Sequence, residues 1–355
     1  MPTTSIDTFF ACALMVLLVL SAMAVTTKFL YPHIYAGVDD NSAERYRALS
    51  EYLLLNEGAP SNWGQNSTTA LKSFGLAKAD SNIAYELDID KVSKLNSENL
   101  YAVSYAQIFT ALKMSDASFR IEIKPVFQVT INLTATFEKA NETAYQFEIS
   151  TMKHGTAVYA TLKCYAVAED YLWTSDAYDS NGIANLNVTL PNSVNGPALL
   201  IVFAKSASND NIASFNTYGF AQNSPQPTLN DDFLRLSPRN YSLTASHLHS
   251  GISLSKAYAL TYDYSSILSQ TASGNQSATF SVPHFLDSSS MLLVVTGYNS
   301  TTFFTESTTY PQIPIQVGTD FTMSTSLSNV FTYTHLVTIG SAIYECTIWL
   351  GGPNS

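Results

Sequence analysis

The sequence predicts a mainly β protein: an N-terminal transmembrane α-helix, a small helical juxtamembrane subdomain and two β-sandwich domains. Three observations lead there. A nearly unbroken apolar run occupies Phe9 to Val25. Helical spacing then holds to about residue 117, and beyond Ser118 the apolar period drops from 3.6 to two. From there, strand-like segments recur at roughly 8–12 residues between Gly and Asn turns, the pattern of a sandwich.

The polar surface is hydroxyl-rich rather than ionic. Charged residues are only 13% of the 355, against 79 Ser and Thr, and the net charge is −11. No Lys or Arg follows Lys256, while Asp263, Asp287, Glu306, Asp320 and Glu345 remain. A nucleic-acid binder displaces counterions with cations, so nucleic acid is excluded as the main partner. The 21 Tyr and 19 Phe argue against disorder.

Residues 1–31 form the first element, with a lipid bilayer as the partner of residues 6–27. Seventeen apolar residues, extended by Ile6 and by Phe29-Leu30-Tyr31, reach the length a spanning helix needs. A cleavable signal peptide with processing after Ala24 is the alternative, but its n-region would lack Lys and Arg and carry Asp7. Asp7 is read as an interfacial anion beside the helix N-terminus, or as a contact inside a helix bundle through which the chain self-associates. The body is placed outside the membrane by its Lys-poor, strand-rich composition. Seven N-x-[ST] motifs agree with export: Asn66, Asn132, Asn141, Asn187, Asn240, Asn275 and Asn299.

Residues 32–117 form the stalk and juxtamembrane subdomain. Asn41 and Glu44 fit a capping box for a helix through ERYRALSEYLLL, with Tyr46, Leu49 and Leu53 on one face. Shorter helices are expected near Thr69–Phe74 and Asp88–Leu95. A longer one is expected over Glu98–Lys113, from the spacing of Tyr101, Tyr105, Ile108 and Leu112. Residues 118–220 carry the first sandwich, with strands ending in the apolar run ALLIVF, and Ser206–Asn230 reads as linker or long loops. Residues 221–355 supply seven further strand segments, enough for a second sandwich. Cys164 and Cys346 read as buried free thiols.

Two family resemblances follow. The run Gly58-Ala59-Pro60-Ser61-Asn62-Trp63, with Phe74-Gly75-Leu76-Ala77 and Leu87-Asp88-Ile89-Asp90-Lys91-Val92, behind an apolar first helix, is similar to archaeal membrane-anchored, type IV pilin-like surface proteins over about residues 1–125. The sequence departs from them in having no Lys/Arg-Gly processing site before the apolar run. Asn181-Gly182-Ile183 leading into LNVTLP and then ALLIVFA resembles immunoglobulin-like modules of surface proteins over about residues 125–205. Together they imply a non-enzymatic structural or adhesive role, extending to a pilin-like or minor filament subunit, with no cofactor.

Candidate chemistry is sparse. His247 and His249 fall on one face if their segment is a strand, so they are weak metal-ligand candidates. Asp176 and Asp179 with Asn181 loosely resemble a calcium loop, but Asp-Ser-Asn-Gly is also ordinary turn chemistry. No nucleophile elbow, zinc-protease motif, P-loop or dinucleotide fingerprint occurs. An anchored carbohydrate- or calcium-binding module, or an accessory subunit of a membrane complex, is the alternative reading.

Overall fold

The computed structural model describes residues 15, 16, 19–21, 23, 42–66, 71–114, 117–179, 181–285, 290–300, 302–321 and 329–352. It divides into two units, Met1–Glu51 and Tyr52–Ser355.

In the first unit, Met15, Val16, Val19, Leu20, Ser21 and Met23 are helical and exposed, and residues 42–51 are helical. The rest of the predicted span, Asp7 and the expected cap Asn41 lie outside the described residues. Among the described residues, no helix is long and apolar enough to cross a membrane. The transmembrane helix therefore stays an expectation of the sequence. Within this helix Arg47 and Glu51 form an i,i+4 pair, with Arg47 Nε 3.3 Å from Glu51 Oε1.

The second unit is mainly β. Residues 52–55 are helical, followed by β1 (Glu86–Leu87), α1 (Ile89–Ser93), α2 (Tyr105–Leu112) and β2 (Ser118–Pro125). The chain then builds β3 (Gln128–Glu138), β4 (Glu142–Lys153), β5 (Thr156–Ala157), β6 (Ala160–Ala168), β7 (Tyr171–Tyr178), β8 (Ile183–Pro191), β9 (Ala198–Ser206) and β10 (Asn209–Phe220). Next come β11 (Leu234–Arg239), β12 (Ser242–His247), β13 (Ile252–Leu260), β14 (Ser265–Ile267), β15 (Ser269–Gly274), β16 (Ser277–Ser281), β17 (Met291–Asn299) and β18 (Thr302–Tyr310). Finally the chain adds β19 (Ile315–Gly318), β20 (Asn329–Ile339) and β21 (Ala342–Gly352).

Strands β3–β10 and β11–β18 form two sandwiches with matching order. On one sheet β3-β4-β8 corresponds to β11-β12-β16, and on the other β10-β9-β6-β7 corresponds to β18-β17-β13-β14. No sequence repeat announced this correspondence, because order depends on pairing and burial rather than on residue identity.

The last three strands belong elsewhere. They join a base sheet ordered β1-β20-β21-β2-β19, in which β2 sits between β21 and β19. Three of the seven segments expected in the 221–355 sandwich thus join β1 and β2 in this sheet, β2 itself leaves the 118–220 sandwich in which it was expected, and both sandwiches are an insertion between β2 and β19. The alternating pattern of β20 and β21 suits either partner, so spacing alone could not choose between them.

The two sandwiches share an apolar interface. In β9, Ala198, Leu200, Val202 and Ala204 enter the core of the first sandwich, while Leu199, Ile201 and Phe203 pack on Tyr258, Leu260, Leu292 and Val294 of the second. Similarly, Met291, Leu293 and Val295 of β17 face the second sandwich's own core. The central strands are therefore buried on both faces, which is why they read as continuous apolar runs rather than alternating ones. Four sheets stack in series around three cores.

Local differences from expectation have local causes. The Glu98–Lys113 helix shortens to α2, because the Ser104 side chain accepts from Gln107 N and the Gln107 side chain accepts from Ser104 N. That capping box starts the helix after Tyr101, and Lys113 ends it at φ 54°. Within the expected Thr69–Phe74 helix, the described residues 71–74 are not helical, and Ser73 bridges Ala59. The expected linker contains β10, whose polar start Asn209-Asp210-Asn211 sits at an irregularity of the β9 pairing. Its Asn216 Nδ2 donates to Val129 O at 2.6 Å, so this edge strand closes the first sandwich with amide chemistry that resembles a loop's. Cys164 and Cys346 are buried and free, their thiols pushed up to about 12 by burial.

Candidate functional site

Helix α1 carries most of the buried charge in the base. Asp88 caps it by accepting from Asp90 N and Lys91 N. Lys91 is fully buried and donates from Nζ to Glu57 O at 2.9 Å and Ala77 O at 2.7 Å. Lys94 donates to Trp63 O and Asn66 O, and burial, with Arg239 nearby, lowers its ammonium to about 8. Trp63 Nε1 in turn donates to Gly75 O at 3.0 Å. A Cβ on Gly75 would lie 2.2 Å from Asn56 O, so only glycine fits there. The three head segments read in the sequence are thus one interlocked cluster.

Asp90 joins this cluster to the second sandwich. Its Oδ1 accepts from Asn240 N and from Tyr310 OH, both at 2.7 Å. Burial raises the Asp90 carboxyl, and those two donors pull against the rise. Burial also raises the Tyr310 phenol, with Asp90 adding to it, so the pair is a fixed donor and acceptor.

A cleft of about 290 Å³ opens where the base, β10, β11 and β18 meet. Glu98, Asn216, Asn230, Asp231, Glu306 and Gln312 supply its polar lining. Glu306 is 1% exposed, and its Oε1 and Oε2 accept from Phe233 N at 2.6 Å and Leu234 N at 2.9 Å. Burial pushes its carboxyl up to about 7 against those two donors, with Asp231 and Asp232 adding to the rise. Burial and Glu98 raise Asp231 as well. The cleft therefore holds one acid that exchanges its proton near neutrality, among amides and hydroxyls. No sequence motif nominates Glu306. The only sequence signal was a lone acid inside the Thr-rich stretch TFFTESTTY.

The sequence-derived candidates are scattered. β12 ends at His247, whose half-buried ring lies in the Leu234 register, with Nε2 buried and burial lowering its ring. His249 lies in the bend beyond, where its Nε2 is 2.9 Å from Asp232 O and its ring meets Phe233 edge-on. The two imidazoles are therefore not on one strand face, because the strand stops between them. Asp176 pairs with Lys163 at 2.7 Å on β7. Asp179 accepts from Thr151 Oγ1 and Ala160 N, both at 2.8 Å, and Asn181 and Gly182 take positive φ beside it. That is turn chemistry. Among the described residues no group of three or more His, Cys, Asp or Glu is arranged to hold a metal ion.

Of the acceptor asparagines, Asn132 and Asn187 project from exposed positions of β3 and β8, both paired with β4 on one sheet. Asn141, Asn240 and Asn275 are exposed between strands. Asn66 donates to Asn62 Oδ1, and Asn299 is half-buried at the end of β17.

No family model and no curated protein matches the chain. Among solved structures, HBP35 of Porphyromonas gingivalis is similar at 10% identity and a TM-score of 0.20, over 52% of this chain and 63% of that one. TarS of S. aureus is similar at 7% identity and a TM-score of 0.16, over 50% of this chain and 39% of that one. The chain thus spans less than two thirds of either neighbour. At these scores neither likeness carries an argument about fold or function.

Proposed function

We propose that the chain is a cell-surface structural or adhesion protein, anchored through its N-terminal helix with its β body outside, in the manner of a pilin-like or minor filament subunit. The observation that supports this reading is the insertion of two sandwiches between neighbouring strands of one base sheet. Such an insert leaves through β2 and returns through β19, and Asp90 of the base adds a further tie to the second sandwich. The strand order of both sandwiches matches the immunoglobulin-like type, which supports the modular reading. The three serial cores pack the two sandwiches against each other as one continuous stack.

The anchor carries the proposal's direct test. Replacing Leu20 by Arg adds about 3 kcal/mol to insertion if the position sits near the bilayer centre. The full chain should then leave the membrane fraction. Membrane association equal to wild type would remove the anchor from the account.

A further inference from the structure

The cleft of about 290 Å³ adjoins a second, of about 450 Å³, that lies between β2, β3 and β10. Phe215, Asn216 and Pro314 line both. This shared wall is fixed from within. Asn216 donates from Nδ2 to Val129 O at 2.6 Å and accepts at Oδ1 from Thr217 N at 2.8 Å. Phe215 rests against Phe203, with ring centroids 6.4 Å apart. Its half-buried ring and the exposed ring of Pro314 give the junction a flat apolar surface.

Folding leaves hydroxyls over in both clefts. Ser214 is 3% exposed and lines the second cleft, while Ser307 is 7% exposed and lines the first. Among the described residues neither Oγ has a hydrogen-bond partner, although neither is sealed from the cleft. A buried hydroxyl is ordinarily paired, so the two serines point to a ligand that both donates and accepts hydrogen bonds. Charge narrows the class. Glu98, Asp231 and Glu306 line the first cleft with no Lys, Arg or His among its walls, and Lys124 in the second is paired with Glu345 at 3.3 Å. An anionic ligand would meet its own sign there.

We propose that the two clefts are one binding groove for a neutral oligosaccharide. Ser214 and Ser307 bond sugar hydroxyls in its two halves, and the apolar faces of the sugar rings lie on Phe215 and Pro314. This goes beyond the surface role proposed above and does not depend on the N-terminal helix.

Titration calorimetry of the full chain, in a detergent without a sugar headgroup, tests the groove with cellotetraose, mannotetraose, chitotetraose and a heparin tetrasaccharide. At least one of the three neutral sugars should bind with a Kd below about 1 mM, and the heparin fragment should not. Ser214→Ala and Ser307→Ala strand no partner, so each should keep the wild-type Tm. Each should nevertheless weaken the neutral sugar about tenfold, the worth of one hydrogen bond. No binding of any neutral tetrasaccharide, tighter binding of the heparin fragment, or an affinity unchanged in either serine variant would overturn the groove.

Discussion

Asp90 shows how one side chain ties two parts of the fold together. It accepts from Tyr310 OH at 2.7 Å, and that hydroxyl in turn accepts from Tyr241 N at 3.3 Å. Tyr310→Phe removes both contacts and leaves a buried carboxyl with one donor fewer. It should cost about 1–3 kcal/mol in denaturant unfolding. A loss below about 0.5 kcal/mol would mean that the hydroxyl is dispensable. Glu306 acts in the opposite sense. Its carboxyl is raised in the folded chain, so the fold holds its proton more tightly than the unfolded chain does. That contribution is fully present below about 4.5 and is lost as pH rises through about 7, up to about 3 kcal/mol. Wild-type stability should accordingly fall across that window relative to Glu306→Gln, and equal slopes against pH in the two proteins would contradict it. Neither residue was legible in the sequence, because a lone acid reveals its role only through what folding buries around it. By contrast, Asp88 opening the Ile89–Ser93 turn, and Asn181-Gly182 as a positive-φ turn, could be read directly from residue chemistry.

At the scale of elements, β9 was recognised as a core strand, but its six-residue apolar run said more than that. Continuous apolarity is the signature of a strand covered on both faces, and here the second cover is another sandwich. Leu200→Ala and Ile201→Ala should therefore cost similar amounts, about 2–5 kcal/mol each, although they point to opposite faces. A cost near zero for Ile201→Ala in thermal or denaturant unfolding would contradict the shared interface. Among the strands that went unread, β7, β10, β11, β14, β15 and β18 all lie at the edges of their sheets. Their Thr, Asn and Asp residues pair with backbone across a sheet in much the way they would in a loop. The helices were placed by spacing and corrected by caps. Ser104→Ala should cost about 0.5–2 kcal/mol and fray the start of α2 in amide exchange.

For the whole molecule, mainly β character and the change of period near Ser118 were plain in the sequence, and the closure of the base was not. β2 finds both neighbours in the last 41 residues, across an insert of about 190 residues between Pro125 and Ile315. Pairing over that distance leaves no periodic trace. Truncation before Ile315 should therefore expose β2 and the α1 cluster, and limited proteolysis should cut first between residues 52 and 125. First cleavage inside the sandwiches instead would show that the base does not depend on its C-terminal strands. The proposal that this base carries its insert outside an anchored cell is tested most directly by labelling intact cells that make the full chain with a membrane-impermeant amine reagent, followed by fractionation and peptide mapping. The account predicts a membrane-bound chain labelled at exposed body lysines such as Lys78 and Lys139. A chain in the soluble fraction, or one labelled only after lysis, would contradict it.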